Sequence, residues 1–330
     1  MSCLLLITRS ISIKNLLVGA FLLCVCGVFS IYADPLRYIK YLPLVFFLVF
    51  HKSVSESDVV IKHRSFVLLF LLVACYSIYQ NYFGFLPWDI SFLQSGVGNI
   101  GFDGYSSHID IRPFSVFSGL GEATFFYLIA SVIFFRRHQY ILFLLAISLA
   151  LISGSRGLLA CFVMSMFMVS LFNKQTISKN GLIWWSLASG ALLYAIIFMV
   201  APLLTLFQGE FQGNRLAFWG SMGGRIHHLL EFFASFSYSN LFSPLLLEQM
   251  IYDNILLTMV NDFGCIITVV ILFLVYGCLY SRGYWERIFF STLVSYGFFA
   301  DQILSIYLLA IFSFGIVFLN QFSITHRSEQ

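Results

Sequence analysis

Long apolar runs, interrupted by short polar breaks, set the rhythm of this chain. A helix needs ~20 apolar residues to cross ~30 Å of hydrocarbon. Runs near or approaching that length predict ten helices, near 15–33, 36–50, 65–83, 115–135, 139–153, 156–172, 181–207, 244–275, 287–300 and 303–320. Those at 36–50, 139–153 and 287–300 fall short of a full crossing. Two longer polar stretches, roughly 84–114 and 208–243, separate the runs. Arg9 and Lys14 precede the first run as in a signal peptide, but no small-residue cleavage site follows, so an uncleaved first helix is expected.

Composition turns this pattern into a fold class. Of 330 residues, 60% are hydrophobic, 18% aromatic and only 10% charged, and the mean hydropathy is +0.91. A soluble domain of this length has no use for so much apolar surface. The expectation is an all-α polytopic integral membrane protein with a single membrane domain over 1–330. A net charge of +3 is small, and nothing points to nucleic acid. The seven cysteines fall in or beside apolar runs without metal-ligand spacing or a loop pair suited to a disulfide.

The distribution of basic residues sets the expected orientation. With the N-terminus inside, the inner segments hold Arg9, Lys14, Lys52, Lys62, Arg64, Arg136, Arg137, Lys174, Lys179, Arg282, Arg287 and Arg327. The outer segments hold Arg37, Lys40, Arg112, Arg156, Arg215 and Arg225. That excess obeys the positive-inside rule and predicts two cytoplasmic termini, with both long polar loops outside. Arginine dominates the outer set, and its planar fork grips phosphate oxygens where lysine offers a point charge. Acids also gather outside or near outer span ends, among them Asp34, Asp89, Asp103, Asp110, Glu122 and Asp253. The stretch 84–114, rich in Gly, Ser, Asp and aromatics, suits a lid that stacks on sugar rings and equally an ordinary exposed loop.

Three stretches could carry chemistry. In "SGSRG", Ser153 to Gly157, Ser155 would cap the next helix. Arg156 then either snorkels to the interface or serves an anion site at a helix N-terminus. In "GGRIHHLLEFF", the pair Gly223-Gly224 breaks the chain and Arg225 opens an amphipathic helix, with His228 and Leu229 on its face. That helix either meets headgroups or binds a phosphate with a histidine one turn away. In "SPLLLEQMIYDNILLTMVNDFG", Ser243-Pro244 resembles a helix start, which would carry the helix through Asp253. Asn254, Thr258 and Asn261 then form a polar stripe facing the bundle interior, where polar groups are costly and usually functional.

Taken in order, "SGSRGLLACF", "GGRIHHL" and "YDNILLTMVNDFG" resemble the O-antigen polymerase and O-antigen ligase (Wzy/WaaL) superfamily of membrane glycosyltransferases. Arg225 and Leu229 match the ligase signature R-x3-L. Asn254 and Gly264 match H-[NSQ]-x9-G in spacing, with Asp253 in place of the histidine. That departure favours a polymerase over a ligase.

The resemblance implies a GT-C-like helical fold in the bacterial inner membrane. It implies undecaprenyl-pyrophosphate-linked oligosaccharide as donor and acceptor at the periplasmic face, with a chain-length regulator as a possible protein partner. No D-x-D metal motif is present, and no metal or cofactor is expected. On this reading Arg225, Arg215 and Arg156 hold pyrophosphate, and Asp253 or His228 activates the acceptor hydroxyl. Arg112 and Asn254 complete the substrate-binding set. The rivals are a ligase, which delivers the chain to lipid A-core, and a flippase, which moves the lipid without chemistry. The halved repeats common in transporters are not visible in the sequence.

Overall fold

The computed structural model describes residues 13–31, 33–55, 63–94, 106–107, 110–111, 113, 115–117, 119–172, 178–206, 232–247, 254–280, 283–299 and 308–315. Within them the fold is helical, as expected; a two-residue antiparallel pair, β1 (Ser106–Ser107) with β2 (Asp110–Ile111), is the exception. The helices in chain order are α1 (Ile13–Ser30), α2 (Leu36–Ile39), α3 (Leu42–Ser55), α4 (His63–Phe83), α5 (Pro87–Gln94), α6 (Leu120–Arg136), α7 (Tyr140–Ser153), α8 (Arg156–Phe172), α9 (Lys179–Leu206), α10 (Ile255–Phe263), α11 (Cys265–Leu279), α12 (Tyr284–Tyr296) and α13 (308–315), with a single helical turn at 232–235 and a 3-10 turn at Tyr238–Leu241 between α9 and α10.

Among the described residues, α1 and α4 are long and apolar enough to cross a membrane. Helices α7, α8, α9 and α11 contain shorter apolar stretches. Fourteen residues in α7 rise roughly 21 Å, less than a hydrocarbon layer. The outward faces are apolar too: Leu68, Leu69 and Leu72 on α4, and Ile141, Leu144 and Leu151 on α7, are exposed. Surfaces of this kind are unfavourable in water and match lipid contact.

Three expected elements take a different form. The run at 36–50 is not one helix: α2 ends at Ile39 and α3 begins at Leu42. Pro43 explains the interruption, because it has no N–H to give and its ring crowds the carbonyl four residues back, at Ile39. The run at 244–275 is also divided. Residues 244–247 are not helical, α10 begins after Asn254, and Gly264 separates α10 from α11. Ser243 does not cap a helix; its hydroxyl donates to the Ser239 carbonyl at 2.8 Å. Finally, the polar stretch 84–114 carries α5 and the β1–β2 pair.

The chain folds as two compact units. One comprises 58–160, 210–220 and 315–330, and its described helices include α4 to α7. Here α6 is buried almost throughout, from Leu120 to Phe134, including its polar residues Glu122, Thr124 and Ser131. Gln80 accepts from the Ser115 N–H at 2.8 Å and donates to its carbonyl at 3.3 Å, which pins the approach to α6. Thr124 and Ser153 hydroxyls meet at 2.9 Å where α6 packs on α7.

The other unit comprises 1–57, 161–209 and 221–314. Its helices α9 and α12 pack through small residues. Ser186 donates to Ser291 at 2.8 Å, and Ser295 donates to the Ser186 carbonyl at 2.8 Å. A Cβ on Gly190 would lie 2.8 Å from the Ser295 carbonyl oxygen, so only glycine allows this approach. Close backbones joined by hydroxyls are a membrane-helix device, since burial against lipid adds no hydrophobic drive. This pair places Gly297, at the end of α12, to receive the N–H of Ile255 at 2.9 Å. The start of α10 is thereby fixed.

Candidate functional site

The site is built around α10, a nine-residue helix that buries polar side chains. Asn254 caps it, its Oδ1 accepting from the N–H groups of Leu256 at 2.9 Å and Leu257 at 3.3 Å. The expected stripe is present, with Asn254, Thr258 and Asn261 all buried. At the far end Gly264 has φ 81° and ψ 168°, a conformation essentially reserved for glycine. A Cβ there would also meet the Ser243 carbonyl oxygen at 2.9 Å. The x9 between asparagine and glycine in the motif is therefore the length of one short helix, bounded by a cap and a break. We expect Gly264→Ala to destabilise the fold by about 1–3 kcal/mol from the backbone conformation alone. A lowered melting temperature of the purified protein checks this.

Residues 244–247 run beside the end of α10. Leu246 donates its N–H to the Asn261 carbonyl at 3.1 Å. The Asn261 side chain takes the Leu247 N–H at 3.0 Å and returns its amide to the Leu247 carbonyl at 3.4 Å. A side-chain amide here plays the part of a neighbouring strand, so the non-helical backbone keeps its partners. The chain is thus held at Leu247 and again at Asn254, on either side of the segment containing Asp253. Seven residues of helix separate Asn261 from Asn254, roughly 10 Å along the axis.

Asp262 completes the arrangement, and the sequence reading did not include it. Its side chain is fully buried. Oδ1 accepts from Arg37 Nε at 2.5 Å; Oδ2 accepts from Lys40 Nζ at 2.6 Å and from the Tyr41 hydroxyl at 2.7 Å. The Tyr38 hydroxyl donates to the Asp262 carbonyl at 3.2 Å, and Arg37 reaches the Leu247 carbonyl at 3.4 Å. A buried carboxylate is tolerable only when paired and fully hydrogen-bonded, and this one has two cations and a hydroxyl. Next to it Phe263 is enclosed by Phe29, Tyr38 and Tyr41, with ring centroids 5.7, 5.6 and 4.8 Å away. Charge and aromatic packing together lock the end of α10 to the α1–α3 connection.

The residues singled out from the sequence fare differently. Arg112, Arg215, Arg225, His228 and Asp253 lie outside the described residues. Arg156 is the first residue of α8: Gly154, at φ 73°, closes α7, and the Ser155 carbonyl accepts the Leu159 N–H at 3.1 Å. Both readings of Arg156 share that backbone. Asn254 is in place, with its carbonyl oxygen committed to the cap. Among the described residues no His, Cys, Asp and Glu side chains group so as to hold a metal ion.

Two signals pointed towards Asp262. One was a carboxylate inside an apolar run, which is rare without a partner or a role. The other was a pair of cations, Arg37 and Lys40, in a short connection following Pro35. Compared with family models, curated proteins and solved structures, the chain matches none of them.

Proposed function

We propose that the chain is an O-antigen polymerase, a metal-independent glycosyltransferase of the bacterial inner membrane. It spans the bilayer with about ten helices in a GT-C-like fold, both termini cytoplasmic, and joins undecaprenyl-pyrophosphate-linked oligosaccharide repeats at the periplasmic face. The observation that carries this reading is the form of the N-x9-G stretch. It folds as a discrete helix with buried polar residues, capped by Asn254 and broken at Gly264, with Asp253 immediately before the cap in sequence.

In the proposed reaction the acceptor hydroxyl oxygen attacks the anomeric carbon of the donor chain. The bond from that carbon to the pyrophosphate oxygen breaks, and undecaprenyl pyrophosphate departs with the electron pair. The hydroxyl proton passes to Asp253 or His228 as general base. Arg225, Arg215 and Arg156 stabilise charge growing on the leaving oxygen, a contribution that is largest when the donors are fixed beforehand and water is scarce. Arg112 and Asn254 line the path of the sugars. The aspartate at the position of the ligase histidine favours a polymerase over transfer to lipid A-core.

Purified protein in nanodiscs, given one lipid-linked repeat as sole substrate, tests the reaction. We expect lipid-linked dimers and longer chains, with one undecaprenyl pyrophosphate released for each bond formed. Unchanged substrate that merely crosses the bilayer would identify a flippase instead.

A further inference from the structure

We infer that Arg37 and Lys40, oriented by Asp262, bind the phosphodiester of an anionic glycerophospholipid whose acyl chain lies along the exposed face of α3. The inference rests on the chain lying in a bilayer and not on the reaction proposed for it.

The charges do not balance within the cluster. Among the described residues one buried carboxylate meets two cations, leaving a surplus of one positive charge. That surplus is accessible, because the Lys40 side chain is 39% exposed and that of Arg37 19%, while Asp262 is at 0%. Among the described residues the Lys40 ammonium meets one acceptor, Asp262, and Arg37 keeps its Nη1 group beyond its contacts with Asp262 and Leu247. Donors held in place by a buried carboxylate lose little freedom when an anion arrives. Arginine and lysine side by side suit a phosphate.

The surface beside the cations defines the rest of the ligand. The backbone stays right-handed at Lys40, with φ −58° and ψ −19°, and the Tyr41 carbonyl accepts the Val45 N–H, so Lys40 sits in the short link just before α3. Leu42 and Phe46, one turn apart, share one face of α3, and both are exposed, as is Ile39 at the end of α2. Lys40 stands at the edge of that face, with its ammonium 5.3 Å from the Tyr41 ring centroid. A single positive charge at the head of an apolar stripe complements an amphiphile with one negative charge. A free phosphate would make no use of the stripe. A pyrophosphate brings more negative charge than the cluster has to offset.

The test is native mass spectrometry of the intact protein in a phosphate-free detergent, titrated with phosphatidylglycerol. We expect a bound lipid that dissociates as salt is raised, because the attraction is screened. Lys40→Gln leaves Arg37 and Tyr41 on Asp262 and should weaken the lipid about fivefold, the worth of one basic residue at a membrane surface. Lys40→Arg should retain binding, and Lys14→Gln, an exposed lysine at the start of α1, should leave it unchanged. Diacylglycerol, which lacks the phosphate, should not occupy the site, and inorganic phosphate should not displace the lipid. Salt-independent binding, or equal binding by wild type and Lys40→Gln, would overturn the inference. Tighter binding of a polyprenyl pyrophosphate with the same dependence on Lys40 would also overturn it, by giving the site to the substrate.

Discussion

If the chain polymerises repeats as proposed, Arg225→Ala should leave the protein in the membrane at normal abundance and reduce its polymer to single repeats. The expectation follows from where charge develops. In the proposed reaction the leaving oxygen gains negative charge as the bond to pyrophosphate breaks, so a guanidinium aimed there would favour the transition state selectively. Loss of one such donor typically costs ~3–4 kcal/mol, or roughly two to three decades in rate. Arg225→Lys keeps the charge and loses the two-pronged contact, so it should remain seriously impaired. An arginine that only meets headgroups predicts the opposite, because lysine serves that purpose as well. The sugar-chain ladder at matched expression distinguishes them: normal ladders from both variants would remove Arg225 from the site.

Asp262→Ala is the change expected to cost the described fold most. Its carboxylate is fully buried and binds Arg37, Lys40 and Tyr41 at once. Truncation removes the one anion that the described residues supply to that cluster and leaves two cations facing a cavity. Breaking a buried pair from one side usually costs about 3–5 kcal/mol; the partial exposure of both cations puts this case near the lower figure. In a chain of this size a cost near 3 kcal/mol corresponds to a fall in melting temperature of roughly 4 °C. Asp262→Asn retains the shape and an acceptor oxygen, so its loss should be smaller. Thermal unfolding of the purified variants measures both. An unchanged midpoint for Asp262→Ala would mean that the cluster does not hold the end of α10.

Much of the helical layout was legible because apolar length and simple punctuation agree. The run expected at 156–172 coincides with α8, since Gly154 and Ser155 mark its start without ambiguity. The run at 36–50 failed at Pro43, a residue whose missing N–H outweighs an apolar surrounding. The run at 244–275 failed at Gly264, which sits between strongly apolar neighbours and gives hydropathy no reason to stop. A backbone with φ 81° decides the matter there, and periodicity does not report φ.

The polar stripe of Asn254, Thr258 and Asn261 was readable from its spacing alone, and all three are buried. Its neighbour Asp262 lies off that stripe, and the spacing of one long helix assigns it no role. Arg37 and Lys40 show locally only the sidedness of the chain, although a buried carboxylate requires partners from elsewhere in the sequence. Such a contact spans more than 200 residues of sequence, with a separation of 225 for Arg37 and Asp262. No local pattern encodes it; only the demand for charge pairing does.

The most direct test of the proposed polymerisation is the sugar-chain profile of cells from which this protein has been deleted. The account predicts a single repeat attached to the lipid A-core, with normal chains restored when the protein is returned. Absence of any repeat on the core, with lipid-linked polymer accumulating in the membrane, would contradict it and identify a ligase.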